Sequence, residues 1–453
     1  MAPGAARATG ASRAGRSDGD EVEHRITTLD CGLRVASERV PAIRSVALGF
    51  WIASGSAQEA DEEAGISHFL EHMLFRGTAH YGSAEIDQIF DEMGSGLNAE
   101  TDKEGTSLSS RVLDSHLPHA FEVMGEMVFQ PALTDLVAER EVVLQEIASY
   151  EDDPQDQIFD RLAEAVFGEH PLGRPVIGTA KVVGAIESDQ LRAFHASRYL
   201  PGDIVVAAAG SVDHDELVRM AAAATQGLGA APAGARGPGD GAGPALERRV
   251  RFQQKDTEQY HVGLGAPGIA RSDDRRFTLR VLEGVLGGTP SSRLFQEVRE
   301  RRGLAYTVFS FSSLFARTGE VGIYVGTRPE NLAEALSVLA FELARLCEEP
   351  ISEEELVRSR ECAKSGVVLA LESSSARMGR LGSSVLWGMP ILSVGEIIDR
   401  IDAVTAEQCS ELARDLFAAP RLSAAGIGPD ADAFRAALQP LEALAGSGAR
   451  RAA

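Results

Sequence analysis

Residues 65–78 read GISHFLEHMLFRGT, and inside them His68, Glu71 and His72 form an H-x-x-E-H pattern. In a helix, His68 and His72 stand one turn apart on one face, the spacing that two imidazoles need to hold one zinc ion. Glu71, three residues after His68, falls on that face too, placed to take a proton from a metal-bound water and return it to a leaving amine. Phe69, Leu70, Met73 and Leu74 occupy the remaining faces. They predict a buried helix, the rigid support that a metal site requires. The alternative is a helix with two surface histidines and a solvated glutamate, and a third ligand decides between the two.

That ligand should be a carboxylate or imidazole on another helix, leaving one coordination position open. Residues 134–153, TDLVAEREVVLQEIASYEDD, carry a helical pattern with Thr134 as a candidate N-cap. Glu139 and Glu146 lie two turns apart and share a face, and Val142 and Val143 between them predict that this face is partly buried. A carboxylate on an apolar face must be paired or metal-bound, because burying it bare is costly. Glu146 is therefore the candidate ligand and Glu139 the candidate to orient a histidine. A solvated acidic face laced with i,i+4 pairs is the competing interpretation.

Around this constellation the chain is ordinary in balance but acidic. Its 453 residues carry 44 Lys+Arg against 67 Asp+Glu, a net charge of −23, with 44% hydrophobic residues. That balance excludes wholesale disorder and disfavours nucleic acid, which needs Lys and Arg in excess. Cys31, Cys347, Cys362 and Cys409 are far apart. They build neither a disulfide framework nor a thiolate zinc site, and they fit a reducing compartment. No apolar run approaches the ~20 residues that span a bilayer. The opening MAPGAARATGASRAGRSDGD lacks a hydrophobic stretch, so it is no secretory signal. Residues 1–22 are expected to be a disordered tail, and the protein cytoplasmic, with an organelle matrix as the alternative.

The strongest composition shift is QGLGAAPAGARGPGDGAGP at 226–244, which reads as an interdomain linker. The expected division is an N-terminal zinc-binding domain over 23–225, a linker over 226–246, a second domain over 247–442 and a flexible tail over 443–453. Strand patterns at 25–40, 45–53 and 203–209 in the first half are matched at 248–253, 260–264, 305–310, 319–325 and 421–427 in the second. Long helical patterns at 330–347 and 352–371 keep the same punctuation. The fold class is α+β: two related domains, each a mostly antiparallel sheet with helices packed on it.

H-x-x-E-H with a distal glutamate in EREVVLQE (139–146) resembles the zinc peptidases of the pitrilysin/insulinase family, most of all the mitochondrial-processing-peptidase-like bacterial branch. LNAETDKEGT at 97–106, HPLGRPVIGT at 170–179 and SSRLFQEVRERRGLAYTVFS at 291–310 extend the match across nearly all of the folded part. The resemblance implies a zinc endopeptidase with one Zn2+ per chain, His68, His72 and Glu146 as ligands, Glu71 as catalytic base and Glu139 behind a histidine. It implies Asn98 and Ala99 on an edge strand to which extended or unfolded peptide adds, with Glu100, Thr101 and Asp102 keeping that edge polar. It also implies Arg299 and Tyr306 as substrate contacts, and a homodimer. The alternative is a non-catalytic or partner-dependent subunit of a processing-peptidase-like complex.

Overall fold

The computed structural model describes residues 24–229, 247–417 and 421–442. The expected tails at 1–22 and 443–453, and the linker from residue 230 to 246, lie outside these residues. The chain forms two compact units. One is built from 24–148, 175–229 and 369–391, the other from 149–174, 247–368 and 392–442. Each unit therefore takes in a short segment from the far side of the glycine-rich stretch. Four helices carry or support the candidate residues: α1 (Ile66–Leu74), α2 (Leu136–Asp152), α3 (Pro154–Phe167) and α4 (Ser374–Leu386).

In the first unit the strands are β1 (His24–Thr28), β2 (Arg34–Arg39), β3 (Ser45–Ile52), β4 (Leu97–Thr101), β5 (Thr106–Leu113) and β6 (Ile204–Gly210). They lie in the order β1-β2-β6-β3-β5-β4, antiparallel except for the β2–β6 pair. The pattern read as one strand over 25–40 is a hairpin. Leu29 N donates to Leu33 O at 2.8 Å, closing a turn between β1 and β2.

Strand periodicity sorts the side chains of this sheet. Val46, Leu48, Phe50, Ile52, Leu108 and Val206 share one core with Phe69, Leu70, Met73 and Leu74 of α1, all fully buried as their spacing predicts. The opposite face carries Ala47, Gly49, Ala207 and Ala209, and α4 lies on it with Met378 against these small residues. Glu38, only 1% exposed, accepts hydrogen bonds there from Arg377 (2.5 Å) and Arg380 (3.4 Å) of α4.

The second unit repeats the plan. Its strands β7 (Val250–Gln254), β8 (Tyr260–Gly268), β9 (Ala305–Leu314), β10 (Gly319–Thr327) and β11 (Ser423–Gly428) take the order β7-β11-β8-β10-β9. β7 and β11 are parallel and the rest antiparallel. This is the order of β2-β6-β3-β5-β4, with the parallel pair in the same place, and it expresses in topology the kinship suggested by the matching punctuation. One face packs Val262, Leu264, Val321, Ile323 and Val325 against helices Arg276–Leu286, Leu332–Glu348 and Ala406–Phe417. The other receives α3: Leu162 sits over Gly263 and Gly265, and the Phe159 ring lies 5.3 Å from Phe311 and 6.2 Å from Phe309. The fold is thus α+β, with helices on both faces of each sheet, and each second face is lined with small residues where a helix must come close.

Candidate metal centre

Helix α1 starts at Gly65, whose φ of 101° is left-handed. A Cβ there would also lie 2.9 Å from both Gly178 Cα and Ile177 O, so only glycine fits. The buried Glu59 carboxylate accepts hydrogen bonds from Gly65 N and Ser67 N, each at 2.8 Å. It satisfies donors that a helix start leaves free and sits at the positive end of the helix dipole. The helix carrying the histidines is therefore fixed at its first turn by a charge and along its length by a buried apolar stripe.

Further along α1, the two imidazoles face α2. His72 Nε2 is 3.1 Å from Glu146 Oε2, and His68 Nε2 is 3.6 Å from Glu146 Oε1. One ligand atom from each of His68, His72 and Glu146 lies within 4.8 Å of the others, the single group of this kind among the described residues. Two imidazoles and a carboxylate are the donor set of a zinc site with an open position. Glu146 is half exposed and the histidines are mostly covered, so the cluster opens to solvent on one side.

Glu139 lies behind His72 and is 4% exposed. Its Oε1 is 2.8 Å from His72 Nδ1, and its Oε2 is paired with Arg76. A carboxylate accepting at Nδ1 assigns the proton to that nitrogen and leaves Nε2 with its lone pair toward Glu146. Burial pushes the His68 imidazole down to about 4, with Glu146 opposing and His72 adding to the shift. It is neutral at pH 7, as a ligand must be. The Glu71 carboxyl is raised above its ordinary range by burial, while a hydrogen bond from Thr101 Oγ1 (2.5 Å) opposes the rise. A carboxylate shifted upward in this way is a better proton acceptor.

The face of α2 differs from expectation at one position. Val143 is fully buried, but Val142 is 48% exposed: the two flank the Glu139–Glu146 line on opposite sides, about 50° each, and only the Val143 side packs on the core. Asn98 and Ala99 sit on β4, the outermost strand, paired through β5 on one side only. Asn98 and Glu100 are exposed, as an edge requires. Thr101 is not part of that polar rim: the pleat turns it to the other face, where it meets Glu71. Arg299 and Tyr306 belong to the second unit. Arg299 projects from a π-helical turn, Phe295–Glu300, with its guanidinium 4.3 Å from the centre of the Tyr306 ring and Nη1 donating to Tyr306 O at 3.2 Å. Tyr306 is 75% exposed.

Glu59, Arg76 and the contact of Thr101 with Glu71 escape a reading of the sequence alone. Arg76 is visible in principle: it stands four residues after His72, in the turn that follows α1, and pairs with the same carboxylate. Thr101 shares the inward parity of Ala99. Glu59 comes from a loop with no periodic signal.

Comparison with known proteins bears on the family and the fold. Residues 34–180 match the family model for insulinase (peptidase family M16), and residues 185–361 match the model described as the peptidase M16 inactive domain. An uncharacterized zinc protease of Streptomyces coelicolor is 42% identical over 419 residues, covering 91% of each chain. One from Bacillus subtilis is 38% identical over 392 residues, 86% of this chain and 95% of that one. Among solved structures, a protease from Helicobacter pylori superposes with a TM-score of 0.84 at 21% identity, over 90% of this chain and all of the other. Complex III2 of Candida albicans gives 0.77 at 20% identity, over 92% and 99%. At these identities the structural likeness speaks for the fold.

Proposed function

Because this chain belongs to the insulinase family, peptidase family M16, we propose that it is a zinc-dependent endopeptidase acting on extended or unfolded peptides. The observation that carries this reading is the convergence of His68, His72 and Glu146 donor atoms within 4.8 Å. His68 and His72 would hold zinc through imidazole nitrogen and Glu146 through its carboxylate, one ion per chain. When bound, the ion supplies a Lewis acid and makes water a nucleophile near neutral pH.

The side chains do the rest. Glu71 takes a proton from the attacking water as its oxygen adds to the scissile carbonyl, then delivers that proton to the amine as the C–N bond breaks. Glu139, itself paired with Arg76, holds His72 in the tautomer that presents Nε2. The open edge of β4, at Asn98 and Ala99, receives the substrate backbone as an added strand, which selects extended peptide over any one sequence. Arg299 and Tyr306 are the further substrate contacts, with Tyr306 as donor to the developing oxyanion. The protein works as a homodimer in the cytoplasm.

Hydrolysis of a quenched peptide by the purified chain tests the proposal. Activity should vanish with chelator and return with zinc, and Glu71→Gln should keep zinc and lose hydrolysis. A Glu71→Gln variant that still cleaves would overturn the assignment of the base. A zinc-loaded wild type inert alone, but active beside another chain, would identify a partner-dependent subunit instead. Sedimentation as a monomer at working concentration would refute the dimer.

A further inference from the structure

We infer that Thr101 is a positioning residue for Glu71, and that through it the edge strand offered to substrate also fixes the orientation of the base. The inference rests on the reading of Glu71 as base and extends it to a residue outside the metal-binding motif.

Glu71 has three rotatable side-chain bonds and is largely covered, and its carboxylate must present one oxygen to the attacking water. Its Oε2 accepts from Thr101 Oγ1 at 2.5 Å. Thr101 has a single hydroxyl proton, and the geometry around it commits that proton to Glu71. The neighbouring Thr106 Oγ1 is 3.4 Å away, and Thr106 spends its own proton on Ser54 O at 2.8 Å. The Tyr199 phenol is enclosed beside Thr106 and within the field of Glu71, and burial raises it far above its ordinary value, so it stays neutral. Thr101 is thus the hydroxyl that grips the base.

The grip is rigid because its backbone is. Thr101 and Thr106 are a cross-strand pair closing the β4–β5 hairpin, where Asp102 N donates to Gly105 O at 2.8 Å. The turn is tied in addition to residues 56 and 57, with Ser56 N donating to Asp102 O (3.1 Å) and Ala57 N to Lys103 O (2.7 Å). With Oε2 held, rotation about the last bond of Glu71 is blocked and Oε1 keeps one direction. Asn98, Ala99 and Thr101 lie on the same five-residue strand, so a peptide added to its free edge is registered against the residue that aims the base. Misplacing a reacting group by an ångström or so costs about 10- to 100-fold in rate.

The experiment compares Thr101→Val, which keeps shape and strand propensity but removes the hydroxyl, with Thr101→Ser, which keeps the hydroxyl. The expected result is a kcat about 10- to 100-fold lower for Thr101→Val at unchanged KM, zinc content and melting temperature, with Thr101→Ser within about 3-fold of wild type. Wild-type kcat in Thr101→Val would overturn the inference. So would equal losses in both variants, a change confined to KM, or a drop in zinc content. Crystal structures of the zinc-loaded variants give a readout independent of activity: the Glu71 carboxylate should be rotated or split in Thr101→Val and single in Thr101→Ser. An unmoved Glu71 in Thr101→Val refutes the positioning role. An inert wild type refutes the peptidase reading, and the Glu71 conformers still decide the role of Thr101.

Discussion

Glu139 shows how much one side chain away from the reacting atoms contributes. It is almost fully enclosed, with His72 on one oxygen and Arg76 on the other. Glu139→Gln keeps the shape but removes the charge that orients His72, so zinc affinity should fall about 10- to 100-fold; competition with a chelator of known strength measures this, and unchanged affinity would refute the role. A second carboxylate sets an acid limit on stability. Arg293 donates to both oxygens of Glu355 at 2.7 and 3.0 Å, and Ser352 N adds a hydrogen bond at 2.9 Å. Burial alone would raise the Glu355 carboxyl, but these donors hold it down to about 2. A folded value below the unfolded ~4.3 stabilises the fold fully above that value, and the contribution is lost as pH falls from there through about 2. Glu355→Gln should therefore melt below wild type at neutral pH, with the gap closing as the pH drops below ~4; a constant gap would refute the linkage. The residues legible in sequence are those with helical spacing: His68, Glu71, His72, Glu139 and Glu146 fall on two facing helices whose periodicity is plain. Thr101 and Glu59 are not, because a hydrogen bond across a hairpin or from a loop leaves no periodic trace.

At the scale of elements, the question is what seats α4 on the first sheet. The surface beneath it is alanine and glycine, which offers little apolar area and much close approach. Gly382 shows the closeness: a Cβ there would stand 2.2 Å from Trp51 Nε1 and 2.4 Å from Cδ1. An indole ring cannot fold aside, so Gly382→Ala should cost about 1–3 kcal/mol by overpacking. Glu38 supplies the second anchor through Arg377 and Arg380. Removing its charge takes the carboxylate from two mostly covered guanidinium groups, and Glu38→Ala should cost about 3 kcal/mol. Denaturant midpoints measure both, and a loss below ~0.5 kcal/mol in either variant would show that α4 is held elsewhere. The strand patterns of both halves are readable because buried strands alternate or run apolar. The covering of the second faces is not, since alanine and glycine in a strand do not announce a helix, and the helices that cover them lie far away in sequence.

For the whole molecule, that distance has a consequence for how the chain can be cut. Composition places the one obvious boundary in the glycine-rich stretch, and a contiguous N-terminal piece, 24–225, holds every candidate metal ligand. Yet the compact unit that contains those ligands also includes 369–391, and with it α4. Without that segment the face bearing Ala47, Gly49, Ala207 and Ala209 loses its cover, and Glu38 loses both arginines. A buried carboxylate left without partners is among the costliest defects a fold can carry, and the uncovered sheet becomes an apolar patch open to association. The 24–225 fragment should therefore aggregate or melt without cooperativity and retain no stoichiometric zinc, while co-expression with a segment spanning 369–391 should restore both properties. A fragment that melts in one sharp transition and binds zinc as the full chain does would show that α4 is dispensable and that the folding unit obeys the composition boundary after all.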